Sequence, residues 1–298
     1  MSGIDFDVMR DELCDVFDTK MWAKVESRVQ YEHHRLALAA GVRRVLAIAE
    51  GVGEQVVAVY LGGSIAKGRE RVDSDVDLMV VLDEASWERR RVARDVSFIW
   101  FDILPGWENY AEGRYVPVGY VERVMAEGSE PAMNGVDGVM CVWGQDVLGE
   151  VTGVYARDRH EEKMASFWAQ LQGNRYCFWE EGKRMGEVYL KSKAAMEVVL
   201  FGMRVILVEN DIVFECHKQL MTQVRGAVKK PVGIEDKAGR LLREMSDEAM
   251  DDFYHSLLTW WEGLGGGRRA LEADEMVSLY QLDCEMSWYT GRHAVTDW

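Results

Sequence analysis

Two apolar runs joined through a glycine turn constrain this chain more than any other feature. Val56 to Leu61 reads as a buried strand. It ends in Gly62-Gly63-Ser64, where the backbone is free to turn tightly and approach a ligand. After ten intervening residues, Asp75-Val76-Asp77 enters a second apolar run that ends at Leu82. Residues i and i+2 of a strand point to one face, with α-carbons about 6.6 Å apart at roughly 3.3 Å per residue. Carboxylates placed in this way can share a pair of divalent cations, and a turn of backbone N–H groups can grip anionic oxygens.

That combination suits nucleotidyl transfer, in which metals neutralise a triphosphate held by a glycine turn. Gly63-Ser64, Ala66-Lys67-Gly68 and Ser74-Asp75-Val76-Asp77-Leu78 together resemble the nucleotidyltransferase superfamily typified by DNA polymerase beta. Within it the chain looks most like the small-molecule adenylyltransferases that act on aminoglycosides and lincosamides. The resemblance covers roughly residues 55–105 and fades beyond them. It implies an α+β fold: a mixed sheet flanked by helices, followed by a C-terminal helical bundle. It also implies two Mg²⁺ ions, ATP or another nucleoside triphosphate as substrate, and a small-molecule acceptor.

A third acidic group is expected from a neighbouring strand. Asp102 is the candidate, flanked by Phe101 and Ile103 near the end of the apolar run Ser97 to Leu104. A carboxylate in such a run is costly unless paired, hydrogen-bonded or metal-bound; the plainer alternative is a strand-end residue facing water. Asp75, Asp77 and Asp102 are thus the expected metal ligands and catalytic residues. In the resembled family the third carboxylate also accepts the acceptor's proton. Gly63 and Ser64 are expected to hold the phosphates, helped by the N–H groups of a short following helix. Lys67, where many relatives carry Arg, offers a point charge and not a fork, and Arg69 a second side-chain contact; surface solvation suits both equally well. Lys191, in Tyr189-Leu190-Lys191-Ser192-Lys193, is a further candidate for the triphosphate, with a solvated helix face as its equal alternative. Asp73, Asp83 and Glu84 read as turn and helix-cap residues.

The net charge of −16, from 51 acidic and 35 basic residues, argues against a long nucleic-acid substrate. It would favour a cationic small molecule, though acidity serves solubility just as well. No apolar stretch reaches the ~18 residues of a membrane span. The acidic start, Met1-Ser2-Gly3-Ile4-Asp5, does not read as a secretory signal. Cys14, Cys141, Cys177, Cys216 and Cys284 lie far apart with no Cys-x-x-Cys pair, so reduced thiols and a cytoplasmic setting are expected.

The expected organisation is a catalytic domain over residues 1–150, with N-terminal helices at 5–18 and 21–50, and a helical domain over 151–298. In the second helix the stripe Val25, Val29, Leu36, Ala40 shifts around the axis before continuing as Leu38, Val42, Val45, Ala49. Strands are expected at 56–61, 76–82, 97–104 and 139–143, with a helix from Glu84 to Val92. The second half reads as helices at 160–181, 185–209, 213–226, 235–244, 247–263 and 268–289. Trp168, Tyr176, Trp179, Trp260 and Trp261 recur at helical spacing and are read as core. Glu180 and Glu181 read as surface. His33, His34, His217 and His255 lack a partner at metal spacing. Two other readings stay open: a toxin-type enzyme acting on protein or tRNA, and a non-catalytic, antitoxin-like nucleotide binder.

Overall fold

A computed structural model describes residues 6–127, 129–149 and 159–291. Among these the chain divides into two compact units, residues 6–126 with 135–149, and residues 127–134 with 159–291. The boundary expected at 150/151 lies outside the described residues.

The first unit opens with α1 (Phe6–Leu13), α2 (Thr19–Arg28) and α3 (Glu32–Val52). The expected helix over 21–50 is therefore two helices. Asp18 caps α2 by accepting from the Met21 N–H, and Val29 turns extended (φ −97°, ψ 119°) to end it. The shift in the apolar stripe marks this break. Gly53, in the left-handed region at φ 65°, closes α3 and turns the chain into β1 (Val56–Leu61).

There follow α4 (Gly63–Ala66), β2 (Val76–Leu82), α5 (Glu84–Ala93), β3 (Ser97–Trp100), β4 (Ala111–Pro117), α6 (Tyr120–Glu127) and β5 (Met140–Gly144), while α7 (Glu130–Val136), before β5 in the chain, falls up to Asn134 in the second unit. The strands form one mixed sheet in the order β3–β4–β2–β1–β5. β1 is antiparallel to β2 and β5, β3 is antiparallel to β4, and β2 and β4 run parallel. Val76, Leu78, Val80 and Leu82 enter one core with Leu36, Leu38, Val42 and Val45 of α3. Each such side chain contributes roughly 1.5–3 kcal/mol on burial. Strand alternation then sends Asp75 and Asp77 to the opposite face.

The sheet departs from the sequence reading in two places. The third strand stops at Trp100, whose ring stacks on Phe98 at 4.0 Å, and Phe101 onward is turn with the Phe101 side chain exposed. Strand β4 was not expected at all. Its outward positions carry Glu112 and Arg114, so the run lacks the apolar signature of the other central strands.

The second unit is helical. It contains α8 (His160–Gly173), a π-helical stretch Asn174–Phe178, α9 (Trp179–Met185), α10 (Val188–Glu209), α11 (Leu220–Gly226), α12 (Ile234–Glu244), α13 (Asp247–Gly263), α14 (Ala273–Asp283) and α15 (Ser287–Thr290). Trp168, Trp179 and Trp261 belong to its core, as expected, whereas Tyr176 is exposed. Glu180 pairs with Arg175 and Lys183, and Glu181 with Arg184. No described helix is long and apolar enough to cross a membrane. All five cysteines are free thiols.

Candidate active site

The parallel register of β2 and β4 sets Asp77 directly beside Glu112. Asp75 precedes β2 by one residue and projects to the same face. Asp75, Asp77 and Glu112 each offer a carboxylate oxygen within 4.8 Å of the others, and all three are half-buried. Asp77 and Glu112 face each other across the paired strands. Burial, followed by the charges of Asp75 and Glu112, pushes the Asp77 carboxyl up to about 7, against the opposing pull of Arg114. The Asp75 carboxylate beside Tyr110 pushes the tyrosine hydroxyl up to about 12.

The glycine turn closes over this cluster. The Gly62 N–H donates to the Asp77 carbonyl at 2.9 Å. Gly63 sits in the left-handed region at φ 63°, and a Cβ there would fall 1.7 Å from Asp77 Oδ2. The turn therefore requires glycine twice over, for its dihedral and for the carboxylate beside it. Ser64 Oγ donates to Ser74 Oγ at 3.2 Å, linking the turn to the residue before Asp75. Lys67 lies 3.7 Å from Asp137, with most of its side chain covered. Lys191 belongs to the second unit, its ammonium 4.6 Å above the Trp179 ring.

Asp102 must be corrected. It lies in the turn after β3, its side chain 77% exposed, and it pairs with Arg44 at 2.7 Å. That hydrogen bond holds its carboxyl below the ordinary range. Glu112 occupies the third position instead. The signal that could have found it is the period-two alternation of Ala111, Gly113 and Tyr115 with Glu112 and Arg114. The two carboxylates should differ sharply on substitution. Glu112→Gln is expected to lose at least 10²-fold in transfer rate, in line with removal of one electrostatic group from an active site. Asp102→Asn is expected to stay within about twofold of wild type, because it alters only an exposed ion pair. Parallel kcat measurements check both.

An all-oxygen donor set of three carboxylates suits hard divalent cations such as Mg²⁺ or Mn²⁺. The raised Asp77 carboxyl points the same way, since the crowded negative charge is relieved by either a proton or a cation. Proton and metal therefore compete. Mn²⁺ affinity, followed by electron paramagnetic resonance, is expected to weaken as pH falls below about 7, approaching tenfold per pH unit. An affinity constant from pH 8 to pH 5.5 would contradict this.

A glycine turn gripping a carboxylate-bearing strand, with a third carboxylate from the parallel neighbour, is the arrangement of a transferase of phosphorus-containing groups. Residues 45–116 match the family model described as nucleotidyltransferase domain. The chain thus carries a nucleotidyltransferase domain, consistent with the superfamily typified by DNA polymerase beta. The matched segment holds Gly63, Ser64, Lys67, Asp75, Asp77 and Glu112, and leaves out the N-terminal helices α1 and α2 and the whole helical unit. No curated protein matches the chain.

Proposed function

We propose that the chain transfers a nucleoside monophosphate, AMP from ATP, to a hydroxyl of a small polar acceptor. The observation that carries this reading is the Asp75–Asp77–Glu112 cluster beside the Gly63 turn. Mg²⁺ ions held by these carboxylates would supply charge neutralisation at the α-phosphate and the departing pyrophosphate. The protein's own work is binding and alignment. Backbone N–H groups of Gly63 and Ser64 hold phosphate oxygens, and Lys67 adds a point charge. Lys191 is proposed as a second phosphate contact. Asp77 would hold a cation through its deprotonated carboxylate. Glu112 takes the role first expected of Asp102, including acceptance of the acceptor's proton.

The net charge of −16 favours a cationic acceptor over RNA, because nucleic acid needs a basic track. In this reading residues 1–150 form the catalytic domain and residues 151–298 a helical domain, and the dispersed thiols suit a cytoplasmic setting. The test is incubation with α-labelled ATP, magnesium and separate pools of small hydroxylated amines, tRNA and cell protein. Label in the small-molecule pool supports the proposal. Label confined to tRNA or protein would overturn the choice of acceptor, and label in no pool would favour a binder.

A further inference from the structure

The eight residues Lys67 to Ser74 join the glycine turn to the carboxylate strand. They are held from outside the matched segment, by the junction between α2 and α3. Arg28 Nε donates to the Ala66 carbonyl at 2.9 Å, and His33 Nε2 lies 3.0 Å from the Val72 carbonyl. Between these two ties sits Glu70. Its carboxylate accepts from the Gln30 N–H at 2.6 Å, from the Tyr31 N–H at 3.3 Å and from His34 Nδ1. Its side chain is only 4% exposed, and that of His34 is fully buried. The His34 ring packs in turn on Tyr31, His33 and Trp107.

Burying a carboxylate is unfavourable unless donors surround it. Here the donors include the N–H groups of Gln30 and Tyr31, the two residues leading into α3, whose N-cap residue, Tyr31, makes no side-chain capping bond. Local capping is what this unit uses elsewhere: Asp18 caps α2 and Asp83 caps α5. α3 alone among these three has its start tied to a loop some forty positions away. The exchange fixes that loop as much as it finishes the helix. Downstream, the Arg71 N–H donates to Ser74 Oγ at 2.9 Å, and Ser74 meets Ser64 of the glycine turn.

We infer that Glu70 is a positioning residue for phosphate binding: anchored by His34 and the start of α3, it holds the Lys67–Ser74 loop so that the glycine turn keeps its phosphate-binding conformation. The inference rests on the nucleotidyl-transfer reading, and it makes the N-terminal helices part of the catalytic apparatus. The full-length chain carrying Glu70→Gln tests it, with inorganic pyrophosphate plus magnesium as a base-independent probe. Amide exchange within residues 68–74 is expected to accelerate at least tenfold, with exchange in β2 unchanged. Pyrophosphate affinity should fall about tenfold while Mn²⁺ affinity stays within twofold. Unchanged loop exchange, or a loosened loop with full pyrophosphate affinity, would overturn the inference and leave Glu70 a helix cap. Should Glu70→Gln fail to fold, His34→Phe removes one donor and keeps the backbone cap; the same changes, about threefold, are then expected, and their absence overturns the inference. A wild-type chain that binds no pyrophosphate would overturn the nucleotidyl-transfer reading itself, and the role of Glu70 with it.

Discussion

Asp75→Asn or Asp77→Asn is expected to lower kcat for nucleotidyl transfer by about 10³-fold, the consequence of losing roughly 4 kcal/mol of transition-state charge stabilisation. The fold should survive both changes. Asp75 lies just before β2, and Asp77 gains from neutralisation in the metal-free protein. Its carboxyl titrates near 7 when folded, against about 4 in an unfolded chain. Between those values the folded state holds a proton that the unfolded state has released. Stability of the metal-free protein therefore falls as pH rises from about 4 to 7. Asp77→Asn removes this dependence, so its Tm at pH 8 should equal or exceed that of wild type without metal. Thermal melts beside kcat measurements separate loss of chemistry from loss of fold. A variant that melts normally and retains transfer would count decisively against the carboxylate cluster.

Gly63→Ala should be nearly as damaging, for a steric reason. The left-handed dihedral costs an alanine roughly 1–2 kcal/mol, and the new methyl group would overlap Asp77 Oδ2, 1.7 Å from the Cβ position. Either the turn opens or the carboxylate swings away. Both outcomes disrupt the phosphate grip and the metal ligands together, so kcat/KM is expected to drop at least 10²-fold with weakened Mn²⁺ binding. Gly68→Ala provides the comparison. Gly68 also has a positive φ, but nothing lies within 4 Å of its Cβ position, so it should carry the dihedral cost without the collision.

How far the sequence reveals this site depends on whether each determinant is local. The strands 56–61 and 76–82 are readable because the first is apolar throughout and the second is broken only by Asp77, as central strands covered on both faces tend to be largely apolar. The glycine turn is readable because Gly62-Gly63 marks its own dihedral. Glu112 is hidden because its strand shows polar residues to the active-site face, and an isolated Glu-Gly-Arg looks like loop. Asp102 misleads for the opposite reason. Apolar neighbours extend the strand pattern past Trp100, although the chain has already turned and Arg44 has claimed the carboxylate. Glu70 was illegible altogether. Its partners stand about forty residues upstream, and nothing in Lys67-Gly68-Arg69-Glu70-Arg71 separates it from a solvated charge run. In the second half, helix existence followed from spacing, but the π-helical stretch at Asn174–Phe178 left no mark in the pattern.

Pyrophosphate release tests the central claim most directly. Wild-type protein, supplied with nucleoside triphosphates and a pooled small-molecule acceptor extract, should release pyrophosphate only when Mg²⁺ or Mn²⁺ is present. Asp77→Asn should reduce that release to background while melting at or above the wild-type temperature. Metal-independent release, or equal release from wild type and Asp77→Asn, would contradict the assignment of Asp75, Asp77 and Glu112 as the centre of a nucleotidyl-transfer site.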